Sequence, residues 1–198
     1  MSDNTKKIPD RERFLAAAKY HGAIALVAIT ACGAADAWAI TSGLFIAGLI
    51  ALINAVVAGF LLARIFHEWG HFAGARLSGS YSPMVRKPDG EFIFGFNFEK
   101  NTPEQFLKMS FGGIGANWLL VLLVLMLIPL DSWSRAALFS VVIAQAIAVT
   151  VFEGPIVLRA MNGIEPEDSL NEGLQNGSQD RGRVWGYTAG ALLWLVAI

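Results

Sequence analysis

Long apolar stretches at 22–40, 44–78, 105–128 and 135–157, and a shorter one at 184–198, alternate with polar connections. A helix needs about 20 apolar residues to cross the hydrocarbon core of a bilayer, so the pattern predicts an α-helical polytopic membrane protein with about five transmembrane segments. The connections are a basic leader at 1–21 (Lys6, Lys7, Arg11, Arg13, Lys19), a break at Thr41-Ser42-Gly43, a tight loop at 129–134 and a polar stretch at 162–183 that reads as a loop. Domain organisation follows as a leader, 1–21, and one integral-membrane domain, 22–198. Ala35-Asp36-Ala37 faintly resembles a signal-peptidase site and Ile29-Thr30-Ala31-Cys32 a lipoprotein box. A leader this long, followed by further spans, favours a retained helix with Asp36 near the outer interface.

The run at 44–78 would be about 50 Å long as a helix, well beyond a core of about 30 Å. It must tilt, bend near Asn54 or Gly59, or protrude. Gly59, Ala63, His67, His71, Ala75 and Gly79 recur at four-residue spacing along it, a ridge of small residues that lets another helix approach.

Residues 78–101 change character. Lys87-Pro88-Asp89-Gly90 signals a turn, after which Phe92, Phe94, Phe96 and Phe98 alternate with Glu91, Ile93, Gly95, Asn97 and Glu99. Period two predicts a strand with one greasy face, paired with 80–86 as a membrane-associated β-hairpin at about 80–100. Thr102-Pro103-Glu104-Gln105 then starts a helix, with Thr as N-cap, Pro first and Gln third. Gly112, Gly113 and Gly115 inside it cost about 1 kcal/mol each relative to alanine. Close packing on the small ridge would offset that cost, and Asn117 would then face the same place.

Composition sharpens the class. Hydrophobic residues make up 55% and charged residues 16%, with mean hydropathy +0.50, against about 25% charged in soluble domains. One cysteine, Cys32, rules out an internal disulfide and a thiolate cluster. A net charge of −1 gives no footprint for nucleic acid.

The chemistry is concentrated at Phe66-His67-Glu68-Trp69-Gly70-His71. Residues four apart stack on one helical face, where two imidazoles can grip one metal ion. Glu68 lies about 100° round the helix, placed to take a proton from water rather than to ligate. His-Glu-x-x-His on a helix is the zincin signature, in which Zn2+ polarises water and the glutamate is general base. Such a pattern also arises by chance on exposed helices, but here the flanks are apolar, and ionisable groups in membrane-grade segments are expensive enough to be functional by default.

Basic residues in short loops prefer the cytoplasm. A cytoplasmic N-terminus puts the leader cations, Arg76, Arg86, Lys87, Lys100, Lys108, Arg159, Arg181 and Arg183 inside and Arg135 outside, with the metal motif toward the cytoplasmic end of its helix.

Over roughly residues 55–157 the chain resembles the site-2 protease family of intramembrane zinc metalloproteases. Phe66 to His71 with Ala75-Arg76 and Gly79 matches the family's metal helix, and Gly112-Gly113-Ile114-Gly115-Ala116-Asn117 is similar to its Gly-Pro-x-x-Asn segment, with Gly113 in place of the proline. The resemblance implies a zinc endopeptidase cutting transmembrane protein substrates within the lipid bilayer near the cytosolic face. It implies His67 and His71 as ligands, Glu68 and Asn117 as catalytic residues, and a hairpin that helps to hold substrate, which a strand edge at 91–99 would do by β-augmentation. The family's third ligand is an aspartate in a string ending Leu-Asp-Gly, which this chain lacks. Phe152-Glu153-Gly154-Pro155 is its nearest equivalent, with Gln145 where the family has an asparagine. Glu153 is therefore the favoured third ligand and Asp168 the alternative. Two other function classes remain: a non-catalytic membrane scaffold, disfavoured by retention of Glu68, and a membrane zinc peptidase acting on soluble substrates, disfavoured by the small-residue contacts and greasy hairpin.

Overall fold

The computed structural model describes residues 9–85 and 92–197. Within them run α1 (Asp10–Ser42), α2 (Phe45–Leu77), a 3-10 turn (Phe98–Lys100), α3 (Pro103–Leu127), α4 (Trp133–Met161), α5 (Pro166–Gln175) and α6 (Ser178–Ala197). Helices α1 to α4 are long and apolar enough to cross a membrane, so the chain is a helical, membrane-embedded protein. The starts are those that local chemistry dictates. Thr102 accepts from Gln105 N while the Gln105 side chain accepts from Thr102 N, a full capping box, and Ser132 caps α4 on Arg135 N. Gly43, at φ 64°, closes α1 with its N–H on Ala39 O.

Helix α2 is central: α1, α3 and α4 pack around it, and α4 also carries α5 and α6. Lipid tails are as apolar as leucine, so helices associate in a bilayer by close van der Waals contact of small residues. The core accordingly includes Ala28, Ala55, Ala58, Ala63, Ala137 and Ala146, with Leu62, Val121 and Val142 filling between. The tightest approach is between α2 and α3. A Cβ on Gly70 would strike Gly112 O, one on Gly112 would strike Gly70 O, and one on Gly74 would strike Lys108 O. The expected ridge is thus displaced by one position: Gly70 and Gly74 meet α3, whereas Gly59 meets Val141 of α4 at 3.0 Å.

Several expectations need correction. Among the described residues four helices, not about five, qualify as spans. The last apolar segment belongs to α6, whose opening turns carry Asp180, Arg181 and Arg183 and whose Gly182, Gly186 and Gly190 pack on the carbonyls of Ala148, Ala144 and Ser140 of α4. Glycine makes that contact possible but adds little apolarity. The stretch at 162–183 is not a loop, because Pro166 at the first position and Glu167 and Asp168 in the first turn start α5. Helix α4 also outruns the expected end at 157, passing through Gly154 and Pro155. It continues to Met161, its last turns held by Ile156 and Ala160 against Phe106 of α3.

No β-hairpin forms among the described residues. Residues 80–85 and 92–97 share a single antiparallel bridge, Met84 with Phe94, flanked by Val85 N–H to Ile93 O at 2.9 Å and Gly95 N–H to Pro83 O at 3.0 Å. Pro83 has no N–H for a ladder, and Ile93 N–H is taken by the Glu68 carboxylate at 2.9 Å. Ile93 is fully buried and Phe92 exposed, while Phe94 packs beside Phe72 and both Phe96 and Phe98 pack against Phe106, so the phenylalanines do not share one face. The strand edge expected to receive substrate is not formed among the described residues of 91–99. The expected turn at Lys87-Pro88-Asp89-Gly90, with Arg86, Glu91, Lys6 and Lys7, lies outside the described residues.

The first turns of α1 clamp that loop. Asp10 accepts from Met84 N at 3.1 Å and pairs with Arg76 at 2.5 Å, while Arg13 donates to Met84 O at 3.1 Å. At the other end of the bundle Asp36 is buried within the protein. It accepts from Ser132 at 2.8 Å, from Ser134 and from Arg135 at 2.7 Å, tying α1 to the start of α4.

Gly70→Ala should push α2 and α3 apart and cost about 1–3 kcal/mol, the usual range for overpacking. Gly115→Ala, whose Cβ would meet nothing within 4 Å, should cost far less. Unfolding in detergent micelles compares the two, and equal stabilities would remove the close approach as the reason for these glycines.

Candidate metal centre

His67 and His71 stand on successive turns of α2 with ring centroids 4.3 Å apart. Helix α4 brings Glu153 to them. His67 Nε2 and His71 Nε2 are 3.0 Å apart, and Glu153 Oε1 lies 3.1 Å from the first and 3.3 Å from the second. Ligand atoms about 2.0–2.1 Å from a tetrahedral zinc stand about 3.3 Å from one another, so the triangle has the dimensions of three metal ligands. Hydrogen bonding alone explains it poorly. Both ring nitrogens converge on one carboxylate oxygen, and Glu153 Oε2 is buried with no partner. These three residues are near enough to hold one metal ion. Asp168 is exposed on the first turn of α5 and takes no part in the group.

The outer partners of the histidines suit ligation. His71 Nδ1 faces Met109 O at 2.9 Å. A carbonyl only accepts, so Nδ1 carries the proton and Nε2 keeps its lone pair for a metal. Asn117, 1% exposed, places its amide 3.3 Å from His67 Nδ1, and its Oδ1 has no partner. The two ends of a carboxamide occupy the same volume. With its oxygen toward the ring the amide accepts from Nδ1–H, fixing His67 in the ligating tautomer and satisfying Oδ1 together. In that orientation Asn117 would position His67. Gly113 completes the fit, because a Cβ there would lie 2.5 Å from His71 Nε2.

Glu68 lines the same cavity, buried, with Oε1 held by Ile93 N–H. Its neighbour Trp69 faces the opposite way and donates to His21 Nδ1 of α1 at 3.0 Å. One turn of α2 thus presents its ligands and its acid to the cavity while its tryptophan anchors it to α1. The cavity measures about 410 Å³, and Gln145, two turns before Glu153 on α4, also lines it.

Four polar lining residues were not among the site residues read from the sequence: Arg64, Gln179, Arg183 and Tyr187. Arg64 did carry a signal, as a lone cation inside an apolar run. The other three recur at four-residue spacing, but only a helix that begins before the apolar segment puts them on one face, and 162–183 read as a loop.

Asn117→Ala should weaken Zn2+ binding by about 10–100-fold, the range for loss of a partner behind a metal-binding histidine. Gly113→Ala should weaken it too, by displacing the His71 ring. Competition against a fluorescent chelator measures both, and native affinity in the two variants would break the link between α3 and the histidines.

No family model, no curated protein and no solved structure matches this chain.

Proposed function

We propose that the protein is a membrane-embedded zinc endopeptidase of the site-2 protease type that hydrolyses peptide bonds of membrane-spanning substrates, with the N-terminus and the metal end of α2 toward the cytoplasm. The observation that carries this reading is the convergence of His67 Nε2, His71 Nε2 and Glu153 Oε1 within 3.0–3.3 Å on a cavity that Glu68 also lines. Two imidazoles and one carboxylate form a donor set used by catalytic zinc sites, which leave a further position open. A zinc ion there would supply Lewis acidity, activating water and polarising the scissile carbonyl.

The chain's own residues account for the remaining work. Glu68, held at one oxygen by Ile93 N–H, takes a proton from the attacking water and returns it to the leaving amine. Met109 O and Asn117 hold the imidazoles in the tautomers that ligation requires. Retention of a buried carboxylate beside the ligand group favours an enzyme over a scaffold, because a site that only binds metal has no use for a base.

Glu68→Gln should retain zinc and lose cleavage of a model transmembrane substrate. Loss of metal in that variant would make Glu68 a ligand instead. Glu153→Gln should release zinc while Asp168→Asn leaves its content unchanged, as measured by elemental analysis of the purified protein. The reverse ranking would move the third ligand to α5.

A further inference from the structure

Two arginines face the same cavity from different helices: Arg64 on α2 and Arg183 on α6. Neither contributes to the metal group. An arginine inside an apolar span is costly and marks function by default, and Arg64 stands one turn before Glu68, its guanidinium 5.5 Å from the Phe60 ring centroid. Arg183 sits between Gln179 and Tyr187 on the face of α6 turned to the cavity. Its contact with Asp180, 3.4 Å between exposed side chains one turn apart, is a weak competitor for a ligand.

Helix α4 serves as a ruler for their height. Gly59 of α2 abuts Leu138 O and Val141, and His67 and His71 abut Glu153, so Arg64 falls beside the turn that holds Gln145. Gly182 abuts Ala148 O and Gly186 abuts Ala144 O, so Arg183 falls beside the same turn. The two arginines therefore flank the cavity at one level, about 9 Å along α4 from Glu153.

Charge points the same way. Among the described residues the ionised side chains lining the cavity are Arg64, Arg183, Glu68 and Glu153. Glu153 is committed to the histidines and Glu68 to Ile93 N–H. Guanidinium groups bind carboxylates through paired, charge-assisted hydrogen bonds.

We propose that Arg64 and Arg183 together bind a carboxylate of the substrate, so that the cavity selects segments with an acidic residue about three positions from the bond to be cut, at about 3.3 Å per extended residue. This rests on the peptidase reading of the site.

The test uses full-length Glu68→Gln protein loaded with zinc in nanodiscs of zwitterionic lipid. A transmembrane peptide carries a single Glu, Gln or Lys scanned along its length, and affinity is read by fluorescence anisotropy. One Glu peptide should bind about tenfold or more tighter than its Gln counterpart. That preference should vanish with Arg183→Gln or Arg64→Gln while zinc content, which reports an intact site, stays level. Arg183→Glu should transfer it to the Lys peptide. Equal affinity for Glu and Gln peptides at every position would overturn the proposal, as would a preference that survives loss of both arginines or one seen only in anionic lipid. If the native protein cuts Glu and Gln peptides alike and binds them alike, the carboxylate site falls and the peptidase stands. If it binds the Glu peptide selectively and cuts none, the peptidase falls and the carboxylate site stands.

Discussion

Everything at the candidate site depends on how closely α2 and α3 approach. At Gly70 and Gly112 each backbone lies where the other's Cβ would be, a separation that only glycine permits. That closeness brings Met109 O to His71 Nδ1, seats the His71 ring over Gly113 and carries Asn117 to His67. Had the helices stood apart by the width of ordinary side chains, the imidazoles would have lost the partners that orient them. The cost of glycine in a helix, about 1 kcal/mol each, is thus recovered in the geometry of the histidines.

A second constraint is the expense of charge in an apolar molecule. Each buried carboxylate has its own answer to it. Asp36 is surrounded by two serine hydroxyls and Arg135, Glu153 faces two imidazoles, and Glu68 accepts a backbone N–H from the loop. The answer at Asp36 is complete in itself and serves to fasten α1 to α4. At Glu153 it is incomplete, with one oxygen left alone, as expected of a group whose partner is a metal.

The loop between α2 and α3 shows how tertiary contacts override a local pattern. Strict alternation at 91–99 is the signature of a strand, yet the N–H of Ile93 goes to Glu68 and its side chain is the one fully buried. A carboxylate already buried on α2 needs a donor more than a short ladder needs one more bond, because an unpaired buried charge costs far more than a neutral hydrogen bond is worth. The clamp from Asp10 and Arg13 of α1 then holds the loop at Met84.

What the sequence by itself determined is whatever rests on short range. The 3.6-residue helical period put His67 and His71 on one face, apolar run length announced membrane-spanning helices, about five of them against the four among the described residues, and Thr102 with Gln105 marked the start of α3. What only the tertiary structure decided is which distant parts meet. Glu153 lies 82 residues from His71, and its apolar setting in Phe152-Glu153-Gly154-Pro155 favours it over Asp168 without bringing it to the histidines. The choice follows from α4 continuing past Pro155 against α2, while Asp168 is carried away on a separate helix. The same holds for α6. Its three glycines are an undistinguished run in sequence, and only their fit onto the carbonyls of α4 turns Gln179, Arg183 and Tyr187 toward the site. Local periodicity fixes the face a residue occupies on its own helix, and packing of one helix on another fixes what that face sees.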